Sequence, residues 1–586
     1  MGHVLICKKF VARHYLALLC AVVVGVVAVL PQILAIQALG NNYKGIHLFY
    51  PDDNTYYMAR MQDILDGHGL ISSPFIYEYK NQRPLMYPLG EYIYAFPSIF
   101  FGVPLVTTLI ADKLFFPFVL FLIVYGLIYL LTGKPKNISG KINAIAGGLL
   151  VTLGYNLIDY KNTLQTFFYG VQSLPLLWTR PVNPITGAIL IFLFLMLLWS
   201  HVCQRRKLTL IASGVVFSLM VGYFFTWSLS LSIIFVLSVI FFLTKKYLLL
   251  KDLFFIVVTG FLISFPYWYN VGQFLVRPNK EEIALRNGML ITHEPLFNKV
   301  VLLTACFFFL CFFLEYRAKR KKRESMESWW WFSTAIIIGS LVALNQQTIT
   351  GKAIWPYHFV QYTTPLAFVV IMTIFFNYIR PRAQKLWSVG ITGILLVTLL
   401  YGFLTVKSYA YEMEKFQSTQ RYADILSWFR HKAEKDCVVL VREGLEERLI
   451  RLIPSFTSCN VYNTQWILFG VVSDNTRIYH NFFTTLRIND VKPEGLKDYL
   501  HDNASAVNDY FFHDWLDYKK SNMSAYVAER NNRIVSDYKD FFKKDFMEEL
   551  ENYRIDYIAS DGVDIFASFP KLKPVGFFNG IYLYML

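Results

Sequence analysis

The feature that most constrains this chain is a succession of long apolar segments separated by short polar ones. Each segment is close to the roughly 20 residues that an α-helix needs to cross a bilayer. Of the 586 residues, 55% are hydrophobic and only 17% are charged, which is little charge for a soluble protein. We therefore predict an α-helical polytopic membrane protein with about 11 transmembrane helices. The predicted spans lie near residues 14–36, 112–132, 142–159, 184–202, 208–224, 226–244, 251–269, 298–315, 328–345, 361–379 and 386–408.

Short basic clusters give the predicted orientation. They lie at alternate ends of the spans, which is the positive-inside pattern if the N-terminus is cytoplasmic. Eleven spans then place the C-terminal region outside the cytoplasm. The clusters are Lys8, Lys9 and Arg13; Lys134, Lys136 and Lys141; 205–207; Lys245, Lys246 and Lys251; 317–323; and Arg380, Arg382 and Lys385.

The charge distribution also argues against a nucleic-acid-binding protein. The whole chain has a net charge of +15, but the region after residue 409 has 22 Lys and Arg against 26 Asp and Glu. The positive excess therefore lies in the membrane part, where it sets orientation. We predict the membrane, and no nucleic acid, as a partner.

One apolar segment is not predicted to cross the membrane. Residues 87–111 contain Pro88, Pro97 and Pro104 as well as Glu91. If they formed a span, every basic cluster downstream would lie outside the cytoplasm, against the positive-inside pattern. We therefore predict that these residues form interfacial or re-entrant helices. The first outer loop then covers residues 40–111, and three further outer segments cover about 160–183, 270–298 and 346–361.

The predicted domains are a membrane domain over residues 1–408 and an extracytoplasmic α/β domain over 409–586. Strand-like and amphipathic segments alternate in the second domain, as in 422–454. It contains no glycine-rich phosphate loop and no nucleophile motif, so we predict acceptor binding or lid support rather than catalysis. Cys437 and Cys459 could form a disulfide outside the cytoplasm or remain two buried thiols. The sequence leaves both open.

The segment YPDDNTYYMAR, residues 50–60, opens the first outer loop. Asp53 and Tyr57 are four residues apart and Arg60 follows after three more, so the three share one face if a helix begins here. A carboxylate at this place can accept a proton from an attacking hydroxyl. One of Asp52 and Asp53 can instead cap the helix. Two carboxylates exceed what a cap needs, so we predict that this pair supplies a catalytic base, with Tyr57 and Arg60 as substrate contacts.

Two further candidates lie at the outer ends of the third and fourth predicted spans. Asp159 is a candidate substrate contact or metal ligand, or simply the end of a helix that meets water. Arg180, in TRPVNP, is placed to bind a lipid phosphate through two hydrogen bonds. It could equally reach toward lipid headgroups without binding a substrate.

The last two outer segments supply the remaining candidates. Glu294 follows His293 in LITHEP and could join Asp53 and Asp159 as an oxygen ligand of Mg²⁺ or Mn²⁺. A solvated loop is the alternative. Lys352 and His358 lie in the polar stretch NQQTITGKAIWPYHFVQY and are candidates for phosphate or sugar binding.

The acidic pair followed by YYxxR just after the first span resembles the first outer loop of the GT-C superfamily of integral-membrane glycosyltransferases. The RPxNP entry to the fourth span and the α/β tail are similar to that superfamily too. It includes oligosaccharyltransferase catalytic subunits, protein O-mannosyltransferases and aminoarabinose transferases. The resemblance implies a polyprenyl-phosphate-linked sugar donor, a glycan, lipid or protein acceptor, and an inverting displacement at the anomeric carbon. Asp53 or Asp52 would act as base, with Arg180, Lys352 and His358 as candidates to stabilise the leaving phosphate.

The chain also departs from parts of the superfamily. In place of a WWDYG-type motif it has only SWWWFS, at 328–333 inside an apolar span, so transfer of an oligosaccharide to asparagine is not supported. Metal dependence stays open, because branches of the superfamily differ in it. Two other functions compete with glycosyl transfer. A transporter or flippase for a lipid-linked saccharide would place ionisable residues within its spans, and a non-catalytic envelope-assembly scaffold would not need Asp52 and Asp53.

Overall fold

The computed structural model describes residues 2–48, 54–169, 175–277, 280–287, 289–443, 447–465, 473–512, 523–565, 569 and 571–586. The first 408 residues are mainly helical. Their helices are α1 (Gly2–Leu39), α2 (Asn54–Leu65), α3 (Leu89–Tyr94), α4 (Phe96–Phe101), α5 (Leu105–Leu131), α6 (Ile138–Thr152), α7 (Tyr160–Tyr169), α8 (Ile185–Gln204), α9 (Lys207–Leu219), α10 (Phe224–Leu243), α11 (Tyr247–Ile263), α12 (Phe265–Leu275), α13 (Lys280–Arg286), α14 (Lys299–Lys322), α15 (Ser328–Leu344), α16 (Gln347–Thr350), α17 (Pro356–Ile374), α18 (Arg380–Arg382) and α19 (Gln384–Thr405).

The helices are those of a polytopic membrane protein. Among the described residues, eight helices are long and apolar enough to cross a bilayer, and α11 with α12 makes a ninth span if this pair, bent by 68°, is counted as one. The apolar helices α6 and α9 are shorter and occupy the two remaining predicted positions. The predicted boundaries were wrong at several ends. In particular, α5 begins at Leu105 rather than near residue 112, because Pro104 ends the preceding loop and Leu105 can start a helix directly after it.

The segments predicted to be outer meet one another at one end of the helix bundle, which we call the first-loop face. Asn183 hydrogen-bonds His358, and the Trp355 indole donates to the Asn287 carbonyl at 2.8 Å. The segments predicted to be inner are also joined to one another, as in the His201–Asp252 contact at 3.0 Å. Segments predicted to lie on the same side of the membrane are therefore in contact with one another. Which end of the bundle faces the cytoplasm stays a prediction.

Within the proline-containing segment, residues 87–104 form no long helix, as predicted, whereas residues 105–111 are the first turns of α5. The segment contains the six-residue helices α3 and α4, and three residues separate the end of α4 from the start of α5. Phe100 and Phe101 on α4 are 67% and 73% exposed. Exposed phenylalanines suit a helix that lies against lipid at the membrane interface.

The C-terminal region is an α/β unit around a five-stranded sheet. The strands of the chain are β1 (Met289–Ile291), β2 (Lys352–Ile354), β3 (Val438–Arg442), β4 (Asn460–Val461), β5 (Tyr557–Asp561), β6 (Lys573–Phe578) and β7 (Ile581–Met585). The five-stranded sheet has the order β4-β3-β5-β7-β6; β3 pairs in parallel with β4 and β5, and β7 is antiparallel to β5 and β6. The helices are α20 (Met413–Thr419), α21 (Ala423–Lys432), α22 (Arg448–Phe456), α23 (Asn475–Ile488), α24 (Leu496–Asp502), α25 (Ala504–Phe512), α26 (Met523–Lys543) and α27 (Phe546–Leu550).

Cys437 and Cys459 form a disulfide with an S–S distance of 2.04 Å. Each lies one residue before a strand, Cys437 before β3 and Cys459 before β4, so the bridge ties neighbouring strands at their starting ends. This settles a point that the sequence left open. Such a bridge is typical of proteins in oxidising compartments.

Candidate functional site

Helix α2 contains the last part of the YPDDNTYYMAR motif. Asp52 and Asp53, the predicted base, lie outside the described residues, so their role stays a prediction. From Asn54 onward the motif forms a helix that buries nine of its twelve residues, including Tyr56 and Arg60. The helix is packed inside the protein rather than lying on its surface.

Arg60 holds α2 against α3. Its side chain is 1% exposed; Nε donates to Glu91 Oε1 at 2.5 Å and Nη1 donates to the Tyr56 hydroxyl at 3.3 Å. Burial alone would lower the pKa of Arg60, but Glu91 and Tyr56 together outweigh burial and raise it, so the guanidinium stays charged. The structure therefore gives Arg60 a partner within the protein, and a substrate contact by Arg60 stays a prediction.

A second set of polar side chains lies beside α2, and we call it the polar cluster: Tyr57, Arg180, Asn183, His358 and Tyr362. The Tyr362 hydroxyl donates to Asn183 Oδ1 at 3.0 Å, and Asn183 Nδ2 is 3.2 Å from His358 Nδ1. Arg180 lies within electrostatic range of His358 and Tyr362, and Tyr57 lies within the same range of Tyr362. Three predicted site residues from three different segments therefore converge.

The hydrogen bonds of Asn183 assign the charge state of His358. Because Asn183 Oδ1 accepts from Tyr362, its Nδ2 is the donor toward His358 Nδ1, which must then carry a lone pair. The imidazole is therefore neutral, with its proton on Nε2. In this state His358 can donate a hydrogen bond to a substrate but supplies no positive charge, which leaves Arg180 as the cation of the cluster.

Close packing keeps the polar cluster in place. The Phe225 ring stacks on His358 with centroids 4.9 Å apart, and Trp355 meets the same ring edge-on at 5.5 Å. Gly187 on α8 lets Tyr362 approach, since a Cβ there would lie 2.6 Å from the tyrosine hydroxyl. These contacts restrict the cluster to one arrangement, which preorganises its polar atoms.

Tyr223 connects the polar cluster with the Arg60–Glu91 pair. Its buried phenol lies within electrostatic range of Glu91, Tyr57 and Tyr362. A Cβ at Gly90 would lie 1.8 Å from the Tyr223 hydroxyl, so this position has no room for a side chain. The salt bridge and the cluster thus form one continuous polar region, which is buried at Arg60, Glu91, Tyr223, His358 and Tyr362 and half-buried at the other cluster residues.

Three predicted site residues are exposed in other segments. Asp159 is exposed, in keeping with the alternative of a helix end that meets water, and its Oδ1 accepts from the Asn162 backbone amide at 3.3 Å. Lys352 is exposed on β2, and Glu294 is exposed in the loop after β1. Antiparallel pairing of β1 with β2 brings these last two segments together, with Ile291 opposite Lys352.

The predicted Mg²⁺ or Mn²⁺ ligands are Asp53, Asp159 and Glu294. Within the described ranges, no group of three or more His, Cys, Asp or Glu side chains is placed to hold a metal ion. Asp53 lies outside those ranges, and the other two carboxylates are exposed. The metal site therefore stays a prediction, and we assign no chemical step to a metal.

The α/β domain packs directly on the first loop. Helix α22 lies against α2, and the Ser455 hydroxyl donates to the Thr55 carbonyl at 3.0 Å. The backbone amide of Val461 on β4 donates to the Phe75 carbonyl at 2.8 Å. The domain therefore forms the outer wall of the pocket that holds α2.

An ion-pair network strengthens this junction. Lys80 Nζ is 2.7 Å from Asp63 Oδ1 on α2 and 3.1 Å from Asp436 Oδ1 in the α/β domain. His68 Nε2 is 3.0 Å from the same Asp436 oxygen. Burial raises the pKa of Asp63 despite Lys80, whereas Lys80 and His68 outweigh burial and lower the pKa of Asp436.

Sequence reasoning missed several residues of this region. Asn183 and Tyr362 stood inside stretches that were singled out, but neither was given a role. Glu91 did leave a signal, because a carboxylate in an apolar segment needs a partner when it is buried. The partner, Arg60, lies 31 residues away and could not be assigned from spacing.

No protein-family model matches the sequence, and a search of curated proteins finds no match. The resemblance to GT-C glycosyltransferases therefore depends on the first-loop motif and on the order of the segments.

Proposed function

We propose that this protein is an integral-membrane glycosyltransferase that moves a sugar from a polyprenyl-phosphate-linked donor to an acceptor. The observation that supports this most is the polar cluster, in which Tyr57, Arg180 and His358 converge beside α2. Helix α2 directly follows Asp52 and Asp53 in the chain. A cation, a neutral donor and phenols beside a carboxylate-bearing motif suit phosphate and sugar recognition.

In the proposed reaction the polar cluster receives the lipid phosphate. Arg180 is the cation, and a guanidinium can bind two phosphate oxygens in parallel. His358 Nε2–H adds a neutral hydrogen bond. Donors fixed in a site shielded from water stabilise negative charge as it develops on the leaving phosphate.

The bond changes are those of a single inverting displacement. An acceptor oxygen or nitrogen attacks the anomeric carbon while the bond from that carbon to the phosphate oxygen breaks. The electron pair of the breaking bond stays on the polyprenyl phosphate. The proton of the acceptor passes to the carboxylate of Asp53, or of Asp52.

The proposed location of the reaction is the extracytoplasmic face. Positive clusters favour a cytoplasmic N-terminus and the opposite side for the first-loop face. The Cys437–Cys459 disulfide, in the domain that packs on the first loop, agrees with an oxidising compartment.

The test uses the full-length protein in lipid nanodiscs with a panel of polyprenyl-phosphate sugars. Native mass spectrometry reads which donor binds and whether its sugar is lost with time. We expect donor binding without turnover for Asp53→Asn, and a turnover loss on the order of 100-fold for Arg180→Ala. Arg180→Lys keeps the charge but not the two-point contact and should give an intermediate rate. Arg533→Ala, at an exposed arginine on α26, is the matched control and should be unchanged.

Two outcomes would count against the proposal. If no lipid-linked sugar binds to the wild type, the donor class is wrong. If Arg180→Ala turns over as fast as the wild type, the polar cluster does not serve the leaving phosphate.

A transporter is the second candidate, favoured by one observation in α5. Asp112 is 6% exposed within this helix, and the neighbouring Lys113 donates to Gln32 Oε1 of α1 at 2.7 Å. Buried ionisable groups in spans often mark a transport path. Flipping of a fluorescent lipid-linked saccharide in proteoliposomes tests it: loss in Asp112→Asn but not in Arg180→Ala would favour transport.

A further inference from the structure

An open groove runs along the first loop. It lies beside the backbone segment whose Met86 carbonyl contacts Arg60. Its volume is about 750 Å³, within the range of small-molecule sites. The first-loop groove, as we call it, is lined by residues 67–70 after α2, by residues 80–83, by residues 87–89 and by Tyr92. None of these residues belongs to the polar cluster.

Two tyrosines shape the groove. The Tyr92 hydroxyl donates to the Gly69 carbonyl at 3.0 Å, which fixes its ring across the groove, and 39% of this side chain remains exposed. Tyr87 packs on Tyr267 with centroids 5.8 Å apart, and its hydroxyl accepts from Asn270 Nδ2 at 3.2 Å. Tyr87 is thus held by residues outside the groove and Tyr92 by a hydrogen bond across it, so both rings present fixed surfaces to a ligand.

Three polar side chains in the groove are available for hydrogen bonds. Asn81, Gln82 and Arg83 line it, and within the described part of the chain their side chains make no hydrogen bond. The Arg83 guanidinium is held 5.6 Å from the Tyr269 ring centroid. Two amides supply donors and acceptors together, and the guanidinium supplies further donors.

The charges around the groove disfavour a phosphate or a polyanion. Lys80 and Arg83 are its two permanent cations. Lys80 is already paired with Asp63 and Asp436, and Asp66 lies within electrostatic range of the same lysine. Lys435 is a third cation, since its Nζ lies 3.9 Å from the place that a Cβ on groove-lining Gly67 would take. Three cations and three carboxylates therefore balance, and the region offers no positive excess to attract an anion.

A neutral saccharide fits this combination of groups. A pyranose ring has apolar faces of C–H groups that pack on aromatic rings, and a rim of hydroxyls that both donate and accept. In the groove, the tyrosine rings can pack on the apolar C–H faces of the sugar, and the amide groups can hydrogen-bond its hydroxyls.

The groove also lies close to the motif helix. Its wall at residues 87–89 continues the segment in which the Met86 carbonyl faces Arg60 and Gly90 touches Tyr223. A single backbone segment, which includes Met86 and Gly90, therefore contacts the polar region and also supplies a wall of the groove.

We propose that the first-loop groove binds a neutral saccharide, and that this saccharide is the acceptor glycan. The second half of this statement rests on the proposed function, whereas saccharide binding does not.

Binding is measured on the full-length protein in nanodiscs by saturation-transfer difference NMR, with no donor present. The probes are neutral trisaccharides of glucose, galactose, mannose and N-acetylglucosamine, with inorganic phosphate and glycerol phosphate as anionic probes. We expect at least one neutral trisaccharide to bind. Tyr92→Ala should weaken its binding roughly tenfold, and Tyr92→Phe, which keeps the ring, should bind nearly as the wild type does. Asn81→Ala with Gln82→Ala should also weaken binding, while Arg533→Ala, at the exposed arginine on α26, should not.

The outcomes separate this inference from the proposed function. If no neutral trisaccharide binds, or if a phosphate probe binds better and depends on Arg83, the inference is overturned. A second assay follows loss of sugar from the donor to water. If that reaction proceeds while saccharide binding fails, the glycosyltransferase proposal survives without the groove. If saccharide binds but no donor is ever consumed, the groove stands and the glycosyltransferase proposal fails.

Discussion

Replacing Glu91 by glutamine should destabilise the protein more than removing its partner Arg60. The two side chains are 5% and 1% exposed and form a direct ion pair. Glu91→Gln leaves a guanidinium buried without its carboxylate, and arginine cannot give up its proton. Arg60→Met leaves a buried carboxyl group, which can become neutral by taking up a proton.

The expected magnitudes follow from this asymmetry. Breaking a buried ion pair by removing one partner costs about 3–5 kcal/mol, so Glu91→Gln should reach that range. At pH 7 the orphaned carboxyl group in Arg60→Met can take up a proton, which costs about 1.4 kcal/mol for each unit by which the pH exceeds the ordinary glutamate pKa of about 4.3. This cost cannot exceed about 3.7 kcal/mol, whereas the buried guanidinium in Glu91→Gln has no such upper limit. Glu91→Leu combined with Arg60→Met removes both charges and should lie within about 1 kcal/mol of the wild type.

The assay is thermal unfolding in detergent, followed by tryptophan fluorescence. At about 2.1 cal/mol/K per residue, 586 residues give an unfolding entropy of about 1.2 kcal/mol/K, so Glu91→Gln should lower Tm by about 2.5–4 °C. Glu494→Gln, at an exposed glutamate, is the control and should not shift Tm. The reasoning is refuted if Glu91→Gln melts with the wild type, or if the double variant is less stable than both single variants.

Three further predictions concern other parts of the molecule. Burial raises the pKa of Glu447 to about 7, above its unfolded value of about 4.3, so stability should fall by up to about 3 kcal/mol as pH rises from 5 to 8, and Glu447→Gln should flatten this trend in denaturant titrations. Replacing Cys437 and Cys459 by serine opens a loop that spans 22 positions and should cost about 3 kcal/mol, read as a lower urea midpoint that reductant reproduces in the wild type. Gly90→Ala should destabilise the protein by about 1–3 kcal/mol because its Cβ overlaps the Tyr223 hydroxyl, and Tyr223→Phe in the same chain should recover part of the loss in Tm.

Periodicity predicted the α/β domain well where segments were regular. CVVLV became β3, the amphipathic segment after residue 421 became α21, and EERLIRLIP became most of α22. Strand β6 was not predicted, because KPVGFF contains a proline and a glycine and shows no clear alternation. The charged stretch before β5 forms two helices, α26 and α27, with Asp545 capping the second.

The candidate site was predictable only as separate pieces. Arg180 and His358 were chosen because each is polar at the end of an apolar run. Their meeting with Tyr57 joins residues 57, 180 and 358, and no spacing rule connects positions so far apart. The neutral state of His358 was less accessible still, since it follows from the way Asn183 is oriented by Tyr362. Local sequence pattern identifies candidate side chains. Their neighbours and their protonation states depend on tertiary packing, which the pattern does not show.

The boundary near residue 408 separates the membrane domain from the α/β domain in the sequence, but the two domains are in direct contact at the candidate site. The α/β domain contacts α2 through Ser455 and Thr55, and it reaches the first loop through the pair of Asp436 with Lys80. Lys80 and His68 are at the same time part of the first-loop groove. The domain therefore fixes both the helix that follows the aspartate motif and one wall of the groove. Under the proposed function, it would help to select the acceptor without contributing a catalytic residue of its own.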